Sequence, residues 1–286
     1  MIAAATLGDK IQKIVLAKIE TGKLSLPAMP QVAAECLELL RDRDFSQRKL
    51  VARIETEPLL AALLIRNACS AAYAGAVAVT TLDQAVTRIG AQRIKAVIVE
   101  YASRELFQSR EPKISAECRR VWDHSIAVAQ LARDLGALTG GAAGDTCYLA
   151  GLLHDVGKPI VAAMLLEAER GVKAGSSWID PAAWSSTIDA VHRQVGVAVA
   201  IQWKLPPEIT SAIRDCNDYD TDQRDGIANI VRLANALAKR AGYTTGPVDN
   251  ADVEALIMIG RSMIGTNDDV LDGLTSGLKD RLTAVA

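Results

Sequence analysis

Apolar positions recur along almost the whole chain at i, i+3, i+4 and i+7, the spacing of a buried helix face. The pattern predicts helices over about 9–20, 31–41, 46–55, 58–69 and 91–108 in the first part. In the second part it predicts helices over about 114–138, 145–154, 157–171, 181–202, 207–215, 224–241, 250–264 and 268–283. Local signals punctuate them. Pro27 and Pro30 in LSLPAMP fix an extended approach to a helix, and Thr56 reads as an N-cap with Pro58 in the first turn, where its missing N–H costs nothing. Thr81 and Gln84 fit a capping box, Gly90 breaks the helix that follows, and Asp180–Pro181 is a further cap-plus-first-turn signal. Only AGAVAVTT (74–81) resembles a strand; GGAAG (140–144) and LPP (205–207) read as turns. No fixed-period repeat stands out. The expectation is an all-α protein.

Composition agrees. Half of the 286 residues are hydrophobic and only 4% aromatic, which favours helices over strands and excludes disorder. Lys plus Arg (32) nearly balances Asp plus Glu (34), so no bulk basic field draws nucleic acid, and no direct nucleic-acid binding is expected. No stretch of about 18 uncharged apolar residues occurs, and the N-terminus lacks a basic segment followed by an apolar one, so neither a membrane span nor a secretory signal is expected. Five scattered cysteines without a CxxC pair read as free thiols in a reducing cytoplasm.

The chemistry concentrates in LAGLLHDVGKPI (149–160). His154 and Asp155 stand side by side between an apolar helix and a glycine turn, where an imidazole nitrogen and a carboxylate oxygen can face one cation. Lys158 can meet a phosphate as a mobile point charge. The chain has only three histidines; His124 lies on the preceding long helix and His192 two helices later. Each also has a bland reading, a buried histidine bonded to a carbonyl. Arg66, Asn67 and Ser70 can decorate a polar ligand site, or simply cap a helix and bond to its neighbour. Trp122, Trp178, Trp184 and Trp203 read as packing residues, with Trp203 pinning the LPP turn.

The string LLHDVGK, with an upstream histidine in WDHS, resembles the HD superfamily of helical metal-dependent phosphohydrolases. Further motifs resemble the HDOD family, the HD-related output domain of bacterial signalling proteins: LPxxP at 26–30, IETEP at 54–58, RNACSAAY at 66–73, LDQAVTRIG at 82–90 and HxxVGxxxAxxWxLPxxIxxAI at 192–213. The resemblance covers about 24–240 and implies an N-terminal helical subdomain (1–110) packed on an HD-like core (111–242), followed by C-terminal helices (243–286). It implies that His124, His154 and Asp155 occupy three of four metal-ligand positions, with Asn235 in VRLANALA where the family carries Asp. In the related HD-GYP phosphodiesterases a later histidine, matched by His192, joins a His-His pair; this chain has Cys216–Asn217 there, which argues against a multinuclear iron site.

The implied function is therefore a cytoplasmic output or regulatory domain of the response-regulator type, non-catalytic, whose partners are other signalling proteins or a nucleotide-like ligand. The alternative is a metal-dependent phosphohydrolase acting on a nucleotide or cyclic dinucleotide, with His154, Asp155 and Lys158 as its catalytic residues. No cofactor is expected beyond a weakly held Mn, Fe or Mg ion at His124, His154, Asp155 and Asn235. Lys158, His192, Arg66 and Asn67 are the ligand-binding candidates.

Overall fold

The structure, a computed structural model, describes residues 7–70, 73, 78–140, 144–170 and 181–285; of 7–11, 181–183 and 283–285 it describes the backbone alone. Among the described residues every regular element is helical. Chain order gives α1 (Leu7–Glu20), α2 (Gln31–Leu39), α3 (Gln47–Ile54), α4 (Pro58–Ala68), α5 (Leu82–Arg104), α6 (Pro112–Thr139), α7 (Gly144–Leu153), α8 (Gly157–Arg170), α9 (Pro181–Gln202), α10 (Pro207–Asp215), α11 (Ile227–Arg240), α12 (Asn250–Ile264), α13 (Asp268–Ser276) and α14 (Leu278–Val285).

The local signals act as their chemistry demands, with three exceptions. Thr81 and Gln84 form the reciprocal capping box at the start of α5. Gly90 sits at φ 74°, a conformation costly to a residue with a Cβ, and kinks α5 there. Pro30 stands at the N-cap of α2. Thr56, however, caps nothing ahead of it: its hydroxyl donates to Arg53 O and closes α3, while Glu57 occupies the N-cap of α4 with Pro58 following. The single helix expected over 268–283 is two, because Gly277 ends α13. The strand expected at 74–81 lies partly outside the described residues, and 78–80 form none. Asp180, Trp178 and residues 141–143 also lie outside them.

Two compact units emerge, neither of them contiguous in sequence. The smaller comprises Ala28–Glu105 with the last residues from Lys279, and packs α2, α3 and α4 against α5 around Leu50, Ile54, Leu60, Leu64, Ile94 and Ile98. The larger takes the chain up to Pro27 together with Leu106–Leu278. The break in contacts falls between Glu105 and Leu106, and within the larger unit α1 packs on α9 and α12 on α11. Trp203 anchors this return of the N-terminal segment, its indole N–H donating to Pro27 O at 3.0 Å.

The larger unit is built around α7, whose residues from Cys147 to Leu153 are all buried between α6, α10 and α11. The stretch Gly144–Arg170 (α7 with α8) is long and apolar enough to cross a membrane by length and composition, yet 83% of its most apolar window is buried inside the protein, as core helices are. All five cysteines are free thiols, and four are buried.

Candidate metal centre

The centre is assembled where α7 stops. The turn His154–Val156 links α7 to α8 and is closed by Val156 N–H to Leu153 O and Lys158 N–H to Asp155 O. His154 folds back so that Nδ1–H donates to Gly151 O at 2.7 Å, satisfying a carbonyl at the end of α7. Asp155 lies just ahead of the first turn of α8, where the helix's unpaired N–H groups favour an anion. Gly157 then permits a very close crossing. A Cβ at that position would lie 1.8 Å from His192 O on α9, so only glycine lets α8 approach α9 closely enough to bring His192 onto Asp155.

The three imidazoles are held in the same way. His124 Nδ1–H donates to Tyr243 O at 2.9 Å, and His192 Nδ1–H to Ile188 O and Asp189 O at 3.1 and 3.0 Å. A carbonyl only accepts, so each Nδ1 carries a proton, and in the neutral His124 and His154 rings Nε2 presents a bare lone pair. All three Nε2 atoms face Asp155: His124 at 3.9 Å and His154 at 3.4 Å from Oδ2, His192 at 3.3 Å from Oδ1. None of the three is aligned as a hydrogen bond, and all three are buried without a partner.

Burial keeps His124 and His154 neutral, and the surrounding charges keep the Asp155 carboxyl ionised. Burial pulls the His154 imidazole down to about 3 and also lowers His124, against the attraction of Asp155. Burial alone would raise the Asp155 carboxyl, but His154, Lys158 and His192 outweigh it and hold it well below the ordinary carboxylate value. The Lys158 ammonium lies 2.7 Å from Asp155 Oδ2 and also donates to Thr245 Oγ1 at 3.1 Å.

This donor set fits a divalent cation. One ligand atom each from His124, His154 and Asp155 lie within 4.8 Å of one another, a mixed nitrogen and oxygen set suited to Mn, Fe or Zn. The Asn235 Oδ1 atom is also buried without a partner. Asn235 lies on α11 between Arg232 and Lys239, both of which act electrostatically on this cluster or its neighbours, and α11 packs on α6 and α7. Its carbonyl oxygen is neutral and contributes less to a hard cation than a carboxylate would.

Of the residues singled out in the sequence, the structure thus gathers His124, His154, Asp155, Lys158 and His192 around one carboxylate, with Asn235 on the neighbouring helix. Arg66 and Asn67 belong to the smaller unit, where Asn67 Oδ1 accepts from Arg93 Nε and Nη2 at 3.1 and 2.7 Å and its Nδ2 donates to Leu63 O. Ser70 donates to Asn67 O. These are capping and inter-helix bonds. Sequence reasoning missed Tyr243 and Thr245, whose contacts run through a backbone oxygen and one hydroxyl in a loop with no motif to mark them.

Comparison with known proteins places this chain in a family. The HDOD domain profile matches residues 26–219, about two-thirds of the chain. An uncharacterised protein of Treponema pallidum (strain Nichols) is 24% identical over 224 residues, 74% of this chain but 39% of that protein, so the chain spans about two-fifths of the curated relative. The fold closely follows a candidate metal-dependent phosphohydrolase from Shewanella amazonensis SB2B, with a TM-score of 0.80, 21% identity, and coverage of 98% of this chain and 99% of the other. A candidate signal transduction protein from Marinobacter aquaeolei VT8 superposes with a TM-score of 0.62 at 21% identity, over 97% of this chain and 64% of the other. The all-α helical order, the His154–Asp155 turn and the family match agree: this chain belongs to the HDOD family.

Proposed function

We propose that the chain is a regulatory output module of bacterial signal transduction, of the response-regulator type, that works by binding a partner or small ligand and not by turnover. One observation carries this reading. Among the described residues Asp155 is the one carboxylate of the cluster; it is 3% exposed, and the Lys158 ammonium lies 2.7 Å from its Oδ2. A hydrolytic metal site keeps a coordination position open to water and substrate. Here the ligand atoms are sealed, their one anionic charge is already compensated, and Asn235 supplies a neutral oxygen where a second anion would strengthen the hold on a cation. The free thiols and the burial of the one long apolar stretch support a cytoplasmic setting.

The test is a turnover panel. Protein purified without chelators is incubated with nucleotides, cyclic dinucleotides and a chromogenic phosphodiester in the presence of Mn, Fe(II) or Mg. The expected result is no release above buffer with any of them. Release that His154→Ala abolishes would overturn the proposal.

The second reading, a metal-dependent phosphohydrolase, is favoured by the orphaned Nε2 lone pairs and the orphaned Asn235 oxygen. His124, His154, Asp155 and Asn235 would hold the ion, which when bound supplies an acidified water and a polarised phosphoryl oxygen. The chain's own part would be orientation: the three Nδ1–carbonyl bonds fix the rings, and Lys158 neutralises phosphate charge. This reading expects a full equivalent of metal and activity lost in Asp155→Ala.

A further inference from the structure

Cations gather beside the sealed centre. Lys158, Arg193, Arg232 and Lys239 lie on α8, α9 and α11 within electrostatic reach of one another, with Asp155 as an anion they share. Contacts bring two of them, Arg193 and Arg232, onto one residue. Arg193 follows His192 directly, and its Nη1 lies 2.9 Å from Cys216 Sγ and its Nη2 3.3 Å from Asn217 Oδ1. Arg232 Nη1 reaches the same residue from the next helix, 3.3 Å from Cys216 O, while its guanidinium stacks over Tyr219. Two guanidiniums thus converge just past the end of α10. Arg232, Asn235 and Lys239 are spaced to share one face of α11.

The partners these cations have are all neutral: a thiol, an amide, a carbonyl and a ring. Among the described residues none of Arg193, Arg232 and Lys239 takes part in an ion pair, and Arg232 Nε is buried without a partner. Each of the three side chains keeps part of its surface exposed. Surface cations elsewhere in this chain, such as Arg41, Arg214 and Arg261, pair with carboxylates. Clustered cations with one shared anion repel one another, and burial together with the like charge of Lys158 pushes the Lys239 ammonium below its ordinary value.

We infer that Arg193, Arg232 and Lys239, with Lys158 at the inner edge, form a binding site for the phosphate group of a small phosphomonoester. Planar guanidiniums match a phosphoryl group with paired N–H donors, and the two ammoniums add point charges. A phosphate dianion offsets the excess positive charge and supplies an acceptor for the buried Arg232 Nε–H. The inference deepens the reading of the chain as a binding module and rests on it in one respect only, that the ligand is held and not cleaved. Free phosphate and the phosphate of a nucleotide share this chemistry.

The experiment is isothermal titration of the full chain in EDTA at low salt with inorganic phosphate, AMP, GMP and adenosine. Phosphate-bearing probes are expected to bind and adenosine not to; a nucleotide that binds at least tenfold more tightly than inorganic phosphate identifies the nucleotide as the source, and equal affinities identify free phosphate. Arg232→Gln is expected to weaken binding at least tenfold, and Arg232→Lys, which keeps the charge but not the paired donors, by less. Lys239→Gln, at the end of α11, gives the same test if Arg232→Gln does not fold as judged by circular dichroism. The site is overturned if no phosphate-bearing probe binds, if adenosine binds as tightly as AMP, or if the folded variants bind like the wild type. Phosphate released from AMP in the cell would contradict the binding-only reading while leaving the anion site standing.

Discussion

Each unit buries a polar cluster, and the two clusters are opposites. In the smaller unit Arg93, 2% exposed, gives two N–H groups to Asn67 Oδ1, and the Asn67 amide nitrogen and backbone oxygen are themselves engaged. In the larger unit the buried His124, His154 and His192 Nε2 atoms and Asn235 Oδ1 make no hydrogen bond among the described residues. A satisfied network specifies packing, while an orphaned buried acceptor costs desolvation without return. Such a cluster is explained by something other than folding. The contrast separates RNACS, whose Asn67 and Ser70 bond within their helix and to Arg93, from HDVGK, the candidate site.

The largest expected effect tests what holds the second cluster together. Gly157→Ala drives a methyl into His192 O, so α8 and α9 must part; the expected cost is about 3 kcal/mol or more, read as a fall in Tm of roughly 6 °C or more.

Next comes acid. Neutral His154, lowered to about 3, takes up a proton in the unfolded chain near 6.5 but not in the native state. Unfolding therefore binds protons between those values, and stability falls as pH falls through that window, by roughly 2 to 3 kcal/mol from pH 6 to pH 4 for one such group. Asp155, depressed below its ordinary value, adds to the loss only below about pH 4. Urea melts across pH should show this slope, and His154→Gln should flatten it.

Two leucine substitutions put the comparison directly. Asn67→Leu strips the buried Arg93 guanidinium of an acceptor and should cost about 2 kcal/mol in urea unfolding. Asn235→Leu removes an acceptor that is already orphaned, and should change stability by less than about 0.5 kcal/mol or raise it. Equal costs at the two positions would erase the distinction between the clusters.

Much of this was legible in the sequence where a short-range rule governs. The Thr81–Gln84 box, the Gly90 break and the adjacent His154–Asp155 pair are set by residues within a turn of one another. Thr56 misled because a threonine hydroxyl serves either neighbour, and here it closes the helix behind it. The break at Gly277 was invisible because helical periodicity continues through it. Two features were out of reach in principle. The tolerance of Gly157 for His192 O depends on a helix crossing, and the convergence of Arg193 and Arg232 depends on α9 and α11 meeting just past the end of α10. The bulk charge of −2 conceals that local excess of cations.

The proposed binding role requires that the pocket lack the charge to hold a working metal. Elemental analysis of chelator-free protein, run beside Asn235→Asp, tests it most directly. The account predicts well under one equivalent of transition metal in the wild type and a clear gain in the aspartate variant; a full equivalent of metal in the wild type, unchanged by the substitution, would contradict it.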